Sequence, residues 1–332
     1  MPDSTAPFKK ISILKRLTMP LSELEVYYRE QRRYWMEQGK KLRHIRSREA
    51  FYPLFAMFLK IDRCFRKQTI KILGELQKHD GQVIFACTHI GGEDLERIYE
   101  ALGRGCWWFV GDPCVLYKDI SGLLLHINGS IFLETLDKTD RHIAYLRAVE
   151  VLNGGGSLMI YPEGARNGTE NVPVWPLFQG TAKMAMEAHV KIVPVGIEQY
   201  DKRFVIKFGQ ELHPEDYDCH TELTQTLRDA LATLKWDIWE SEGLQPRSSL
   251  PEDYGKRFVE EFVQRIYPWD TLESIEATRF HNKTEMVQRE AFSHLDKLIP
   301  SRENAFLLRD RSFEERAVVE GYHIKADTPD GK

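Results

Sequence analysis

One stretch restricts the fold more than any other. Val83-Ile84-Phe85-Ala86-Cys87-Thr88 is a short apolar run, His89 follows it, then Gly91 and Gly92, and Asp94 opens a helical run to Leu102. A run of this length reads as a buried strand. His89 then stands at the strand's carboxyl edge, a common place for ligand sites in α/β sheets. The two glycines permit a tight turn. Asp94 falls at a helix start, where a carboxylate is favoured by the unpaired N–H groups and the dipole. From there it can reach back to one ring nitrogen of His89 and leave the other to take a proton from a hydroxyl or amine. A strand-terminal histidine is also often plainly structural and an aspartate there a plain cap, so the pair alone leaves both readings open.

The residues from 78 to 212 continue in alternation. Strands are expected at Gln82–Thr88, Cys106–Val110, Ser130–Glu134, Ser157–Tyr161, Lys191–Ile197 and Phe204–Phe208, with helices over Asp140–Leu152 and Gly180–His189 between them. That is the pattern of an α/β layer fold. Gly154-Gly155-Gly156 follows a helix and precedes a strand, the reverse of a phosphate loop, and reads as a helix stop.

Both flanks read as helical. In residues 1–77, Ser22 with Glu25 forms a capping box, Leu24, Tyr27, Tyr28 and Trp35 follow at helical spacing, and Phe51, Phe55, Phe58 and Leu59 share a face. Around them lie many cations, among them Arg32, Arg33, Lys40, Lys41, Lys60, Arg63, Arg66 and Lys67. Three readings stand: helices packed on the core with a solvated basic face, contact with an anionic membrane surface, or docking of an acidic carrier protein. In residues 213–332, Leu223, Leu227, Ala230, Leu231, Leu234 and Ile238 form one amphipathic stripe. Val259, Phe262, Val263 and Ile266 form another, and the end from Lys325 reads as disordered.

Composition excludes some classes. With 42% hydrophobic and 29% charged residues in 332, the chain is globular, and a net charge of −4 gives no whole-protein attraction to nucleic acid. Five scattered cysteines with no Cys-x-x-Cys pair point to a reducing compartment and away from a zinc ribbon. Cys87, two residues before His89, reads as core. No third ligand stands near His89 and Asp94 at metal spacing, so no metal is expected. No signal peptide or membrane-spanning run is read, and the expected location is cytoplasmic, with contact at the inner membrane face through residues 1–77.

A second constellation closes the fourth expected strand: Tyr161-Pro162-Glu163-Gly164-Ala165-Arg166. Proline ends the ladder, glycine allows close approach to backbone, and arginine offers a planar fork for phosphate or carboxylate. Thr88-His89 with Asp94, Gly129-Ser130-Ile131-Phe132-Leu133-Glu134, this block, and Ile192-Val193-Pro194-Val195 follow one another in order. Taken together they resemble the PlsC-type glycerolipid acyltransferases, the lysophosphatidate and glycerol-3-phosphate acyltransferases, over roughly residues 78–212. The resemblance implies an α/β fold with a mixed sheet flanked by helices and helical additions at both ends. It implies that His89 acts as general base on an acceptor hydroxyl, that Asp94 orients the ring, and that the oxygen attacks an acyl thioester with no acyl-enzyme. Glu163, Gly164 and Arg166 would shape the acceptor pocket, and Pro194 would line the acyl or donor groove. The donor would be acyl carrier protein or coenzyme A carrying a fatty acyl chain, and no cofactor is required. The acceptor would be a glycerophospholipid precursor such as lysophosphatidate.

The chain departs from that family where the acceptor is read. The second block usually ends Asp-Arg; here Glu134-Thr135 stands. A lysine is usual after the second strand; here Gly111-Asp112-Pro113 stands, and Thr88 replaces an asparagine. Lys118, Lys138 or Arg141 can supply the lost charge. Alternatively Asp112 and Glu134 face a neutral or cationic acceptor, an amine, aminoalcohol or sugar. A hydrolase, and a silent protein that binds acyl groups or a carrier, are the readings from other classes; there is no Gly-x-Ser-x-Gly elbow for a serine hydrolase.

Overall fold

The computed structural model describes residues 8–75, 79–91, 93–111, 113, 115–118, 125, 127–135, 137–164, 166–167, 173–243 and 251–253. Four helices come first: α1 (Ile13–Thr18), α2 (Leu21–Glu37), α3 (Ile45–Glu49) and α4 (Tyr52–Phe65). The alternating part then runs β1 (Thr69–Leu73), β2 (Ile84–Cys87), α5 (Asp94–Leu102), β3 (Trp107–Gly111), β4 (Ser130–Leu133), α6 (Lys138–Asn153), β5 (Leu158–Ile160), α7 (Gly180–Ala188), β6 (Ile192–Tyr200) and β7 (Arg203–Phe208). A long α8 (His220–Ser241) closes the described part.

The strands form one seven-stranded sheet in the order β1-β7-β6-β2-β5-β3-β4. It is mixed: β6 and β7 are antiparallel, and every other neighbouring pair is parallel. The antiparallel pair is joined through Asp201, whose positive φ of 54° suits a tight hairpin. Successive residues of β2 serve opposite faces, as the two-residue period of a strand requires. Phe85 and Cys87 join Val193 and Val195 under Ile98, Tyr99 and Leu102 of α5 and Phe55 and Leu59 of α4. Ile84 and Ala86 join Leu158 and Ile192 under α6, α7 and α8, the last through Leu223, Leu227 and Leu231. The described chain therefore has the fold class its alternation indicated.

Several local expectations are corrected. The sheet reaches back into the flank read as helical, because Thr69–Leu73 pairs with β7. The Ser22–Glu25 capping box does not form: Pro20 precedes the first turn of α2 with no side-chain cap, and Glu25 instead accepts from Arg32. The aromatic face of α4 splits in two. Phe55 and Leu59 enter the core, while Phe51, Leu54, Met57, Phe58, Ile61 and Phe65 are exposed. Arg32, read as a surface cation, bonds Asp140 Oδ2 at 2.6 Å and the Tyr117 hydroxyl at 2.7 Å, and Arg33 pairs with Asp137. These bonds seat α2 on the first turn of α6. The triple glycine does stop a helix: Gly154 caps α6 and Gly155 takes φ 86°. The second C-terminal stripe, Val259, Phe262, Val263 and Ile266, and the tail lie outside the described residues.

Candidate active site

The parallel part of the sheet brings its motif blocks to one edge. β2, β5, β3 and β4 all end there, so His89, the turn from Tyr161, Gly111 and the Glu134-Thr135 pair project from neighbouring strand ends. His89 lies two residues past β2. Its Nδ1 is 2.7 Å from Asp94 Oδ2, and the same oxygen accepts the backbone N–H of Ile90 at 2.8 Å and of Gly91 at 2.9 Å. Asp94 opens α5 and reaches back over its own approach loop. The left-handed turn at Gly91, φ 87°, is what lets two successive N–H groups face one carboxylate.

The carboxyl of Asp94 is 1% exposed. Burial alone would raise its pKa; the charge and hydrogen bond of His89 and the N–H groups of Gly91 and Ile90 outweigh that and hold it below the ordinary range. An ionised Asp94 fixes the proton of His89 on Nδ1. Nε2 then faces away as an acceptor. The ring is 22% exposed, and among the described residues Nε2 makes no hydrogen bond. Cys87 is buried beside this pair, and burial pushes its thiol well above the range of a nucleophile.

Tyr161 and Glu163 complete the arrangement from the end of β5. The Tyr161 ring stacks on the imidazole, with centroids 4.1 Å apart and planes at 18°, and its hydroxyl donates to Asp94 Oδ1 at 3.2 Å. Glu163, fully buried, accepts the His89 N–H on Oε1 at 3.0 Å and the Trp175 N–H on Oε2 at 2.8 Å. One oxygen thus holds the histidine loop and the other the segment at Trp175, so Glu163 ties the two backbones together. The Asn167 N–H donates to the His89 carbonyl at 2.7 Å from the same turn. Gly164 takes φ 66°, and a Cβ there would meet the Phe178 ring at 2.4 Å.

The remaining expected residues fall into two groups. The stem of Arg166 lies against Gly91, 3.0 Å from where a Cβ would stand, so its side chain crosses the histidine loop. Pro194 is paired with Ala86 inside the sheet, on the face covered by α8, where it packs near Gly209. It is not brought to the edge that carries His89. At the end of β4, the Glu134 N–H donates to Asp140 Oδ2 at 2.6 Å, and the Thr135 carbonyl accepts from the Arg141 guanidinium. Arg141, in the first turn of α6, thus lies beside the end of the second block. Lys118 donates to the Met19 carbonyl, and Lys138 is exposed at the start of α6. Asp112 lies outside the described residues. Thr88 uses its hydroxyl to accept the Ile197 N–H at 3.0 Å and ties β2 to β6. No group of three metal-ligating side chains stands together among the described residues.

The middle of the chain is similar to known proteins. The family model described as Acyltransferase matches residues 69–198. A 1-acyl-sn-glycerol-3-phosphate acyltransferase of Saccharomyces cerevisiae is 23% identical over 167 residues, 48% of this chain and 50% of that protein. The chain thus spans about half the length of the curated relative it matches. Among solved structures, the 1-acyl-sn-glycerophosphate (LPA) acyltransferase PlsC from Thermotoga maritima aligns with a TM-score of 0.50 at 16% identity, over 69% of this chain and 96% of that one. That likeness is one of fold. Over residues 69–198, then, the chain matches the Acyltransferase family model, and its fold is like that of PlsC.

Proposed function

We propose that this protein moves a fatty acyl chain from an acyl thioester, acyl carrier protein or coenzyme A, to the hydroxyl of a glycerophospholipid precursor such as lysophosphatidate. The single observation that carries the reading is the 2.7 Å contact between His89 Nδ1 and an ionised, buried Asp94, with the opposite ring nitrogen turned outward. His89 Nε2 takes the acceptor's proton as its oxygen attacks the thioester carbonyl. Asp94 holds the ring in the right tautomer and stabilises the imidazolium that forms. The carbon–sulfur bond breaks, the thiolate leaves, and the proton on His89 goes to it. Transfer is direct, with no acyl-enzyme; burial raises the pKa of the neighbouring Cys87 thiol and disfavours its thiolate.

Arg166, in the turn that follows β5, and Arg141, in the first turn of α6, are the cations we assign to the acceptor's phosphate. Arg166→Ala is expected to raise the acceptor KM about 10- to 100-fold, the worth of a charge-assisted hydrogen bond, with a small change in kcat. Steady-state kinetics with lysophosphatidate checks this. A screen of lysophosphatidate, glycerol 3-phosphate, amines and sugars against one acyl thioester, read by mass spectrometry, tests the acceptor class. Acylation of amines or sugars with lysophosphatidate untouched would overturn the phosphate assignment. Free acid as the sole product would indicate a hydrolase.

We further propose that α4 brings the site to a lipid surface. Leu54, Phe58, Ile61 and Phe65 recur on its outer face after the N-terminal flanking Phe51, all exposed, with Lys60 and, just past the helix, Lys67 exposed beside them. No described helix is long and apolar enough to cross a membrane. Replacing both Phe58 and Phe65 by serine is expected to weaken binding to anionic vesicles at least about tenfold, since each phenyl buried contributes roughly 1.5–3 kcal/mol. Vesicle co-sedimentation of the double variant checks this, and unchanged binding would remove α4 from the proposal.

A further inference from the structure

The geometry assigns Tyr161 a role of its own: we propose that it is a positioning residue which fixes the plane of the His89 ring with its own ring and the free oxygen of Asp94 with its hydroxyl. This rests on the reading of His89 as general base.

One hydrogen bond does not aim an imidazole. The bond from Nδ1 to Asp94 Oδ2 fixes one atom of the ring, and the ring can still swing about that contact. The flat stack on Tyr161, 4.1 Å between centroids and 18° between planes, removes that freedom. Nε2 then keeps its direction, and holding a catalytic atom in a near-attack geometry is worth orders of magnitude in rate. The hydroxyl acts on the other partner. Oδ2 of Asp94 is occupied by His89, Ile90 and Gly91, and Tyr161 donates to Oδ1 at 3.2 Å, so both carboxylate oxygens are held.

Stacking also discriminates between protonation states. An aromatic face attracts a cation more than a neutral ring. The imidazole becomes a cation when it takes the acceptor's proton, so the contact strengthens toward the transition state, and only such interactions accelerate the chemical step. Tyr161 itself stays protonated, since burial and the neighbouring Asp94 charge raise its pKa well above the ordinary range. It is a donor here and takes no part in proton transfer. Its backbone is pinned as well: Pro162 follows it, and the Gly164 N–H bonds its carbonyl at 3.0 Å.

Two variants separate the ring from the hydroxyl. Tyr161→Phe keeps the stack and removes the donor; Tyr161→Leu fills the space and removes both. Acyl transfer and the NMR signal of the hydrogen-bonded His89 Nδ1 proton are measured for each, with thermal melts as the control for folding. Tyr161→Leu is expected to lower kcat about tenfold or more with KM within about twofold, and to lose the low-field Nδ1 signal. Tyr161→Phe is expected to recover kcat to within about threefold of the parent and to keep the signal. Parental kcat and an intact signal in Tyr161→Leu would overturn the proposal. So would a loss of activity matched by a loss of fold that phenylalanine does not rescue. If the parent protein itself transfers no acyl group, the proposed reaction fails. The Nδ1 signal in the two variants still decides whether Tyr161 orients the ring.

Discussion

His89→Ala is expected to lower the rate of acyl transfer by about 10²–10⁴, the range that a positioned general base contributes. The imidazole is the described group at this edge with a tautomer fixed for proton uptake, through Asp94 at 2.7 Å. Without it the acceptor hydroxyl must attack as the weak nucleophile it is in water. Residual transfer above background would measure what substrate positioning supplies. The fold is expected to survive, since the ring is 22% exposed and lies at the edge of the sheet rather than in either core cluster. Asp94 loses one donor of several and keeps Ile90, Gly91 and Tyr161, which limits the stability cost to about 1–3 kcal/mol. A thermal melt beside the kinetic assay separates the two effects.

Asp94→Asn is expected to cost about 10² in kcat with little change in KM. The size of the effect depends on which end of the amide faces the histidine. Three N–H groups converge on Oδ2, those of His89, Ile90 and Gly91, so an amide must place its oxygen there. Its NH2 then faces the Tyr161 hydroxyl, which can turn and accept. The tautomer of His89 is preserved and only the negative charge is lost. The effect should therefore be smaller than that of His89→Ala, and it isolates charge from orientation. A pH signature accompanies it. Because the Asp94 carboxyl is held below its ordinary value in the folded protein, its stabilising contribution is present above the unfolded value of about 3.9 and is lost as pH falls through the folded one. The stability gap between parent and Asp94→Asn should narrow below about pH 4, as chemical denaturation at several pH values would show. A gap that stays constant through acid would mean that Asp94 is not ionised in the folded state.

The sequence carried the site where its parts are local. His89, the glycine turn and Asp94 lie within six residues, so strand, turn and helix start could be read from spacing alone, and the carboxylate does reach back to the ring. The alternation of short apolar runs and helical stretches gave the sheet for the same reason: burial pattern follows from local period. What it missed depends on contacts across the chain. Glu163 is a pocket residue in what the family resemblance implies. It accepts from two backbone N–H groups, at His89 and Trp175, which no side-chain pattern announces. Tyr161 read as the end of a strand, and its stack on His89 exists only because β2 and β5 are neighbours in the sheet. Which face Pro194 serves is fixed by register, which pairs it with Ala86 below α8 and which no local pattern gives. Thr69–Leu73 escaped notice as a strand because cations around it masked its apolar positions. Arg32 looked solvated for want of any local acid at helical spacing on its own turn, while its partner Asp140 waits on α6.

The most direct test of the His89–Asp94 pair as the base in direct transfer follows the acyl chain itself. Protein is mixed with a labelled long-chain acyl thioester and lysophosphatidate, quenched through a single turnover, and the intact masses of protein and lipid are recorded together. The label is expected to pass from thioester to acceptor with no acylated protein at any time point, and to remain on the thioester when His89→Ala replaces the parent. Label on the protein during turnover, or transfer by His89→Ala at the parental rate, would contradict it.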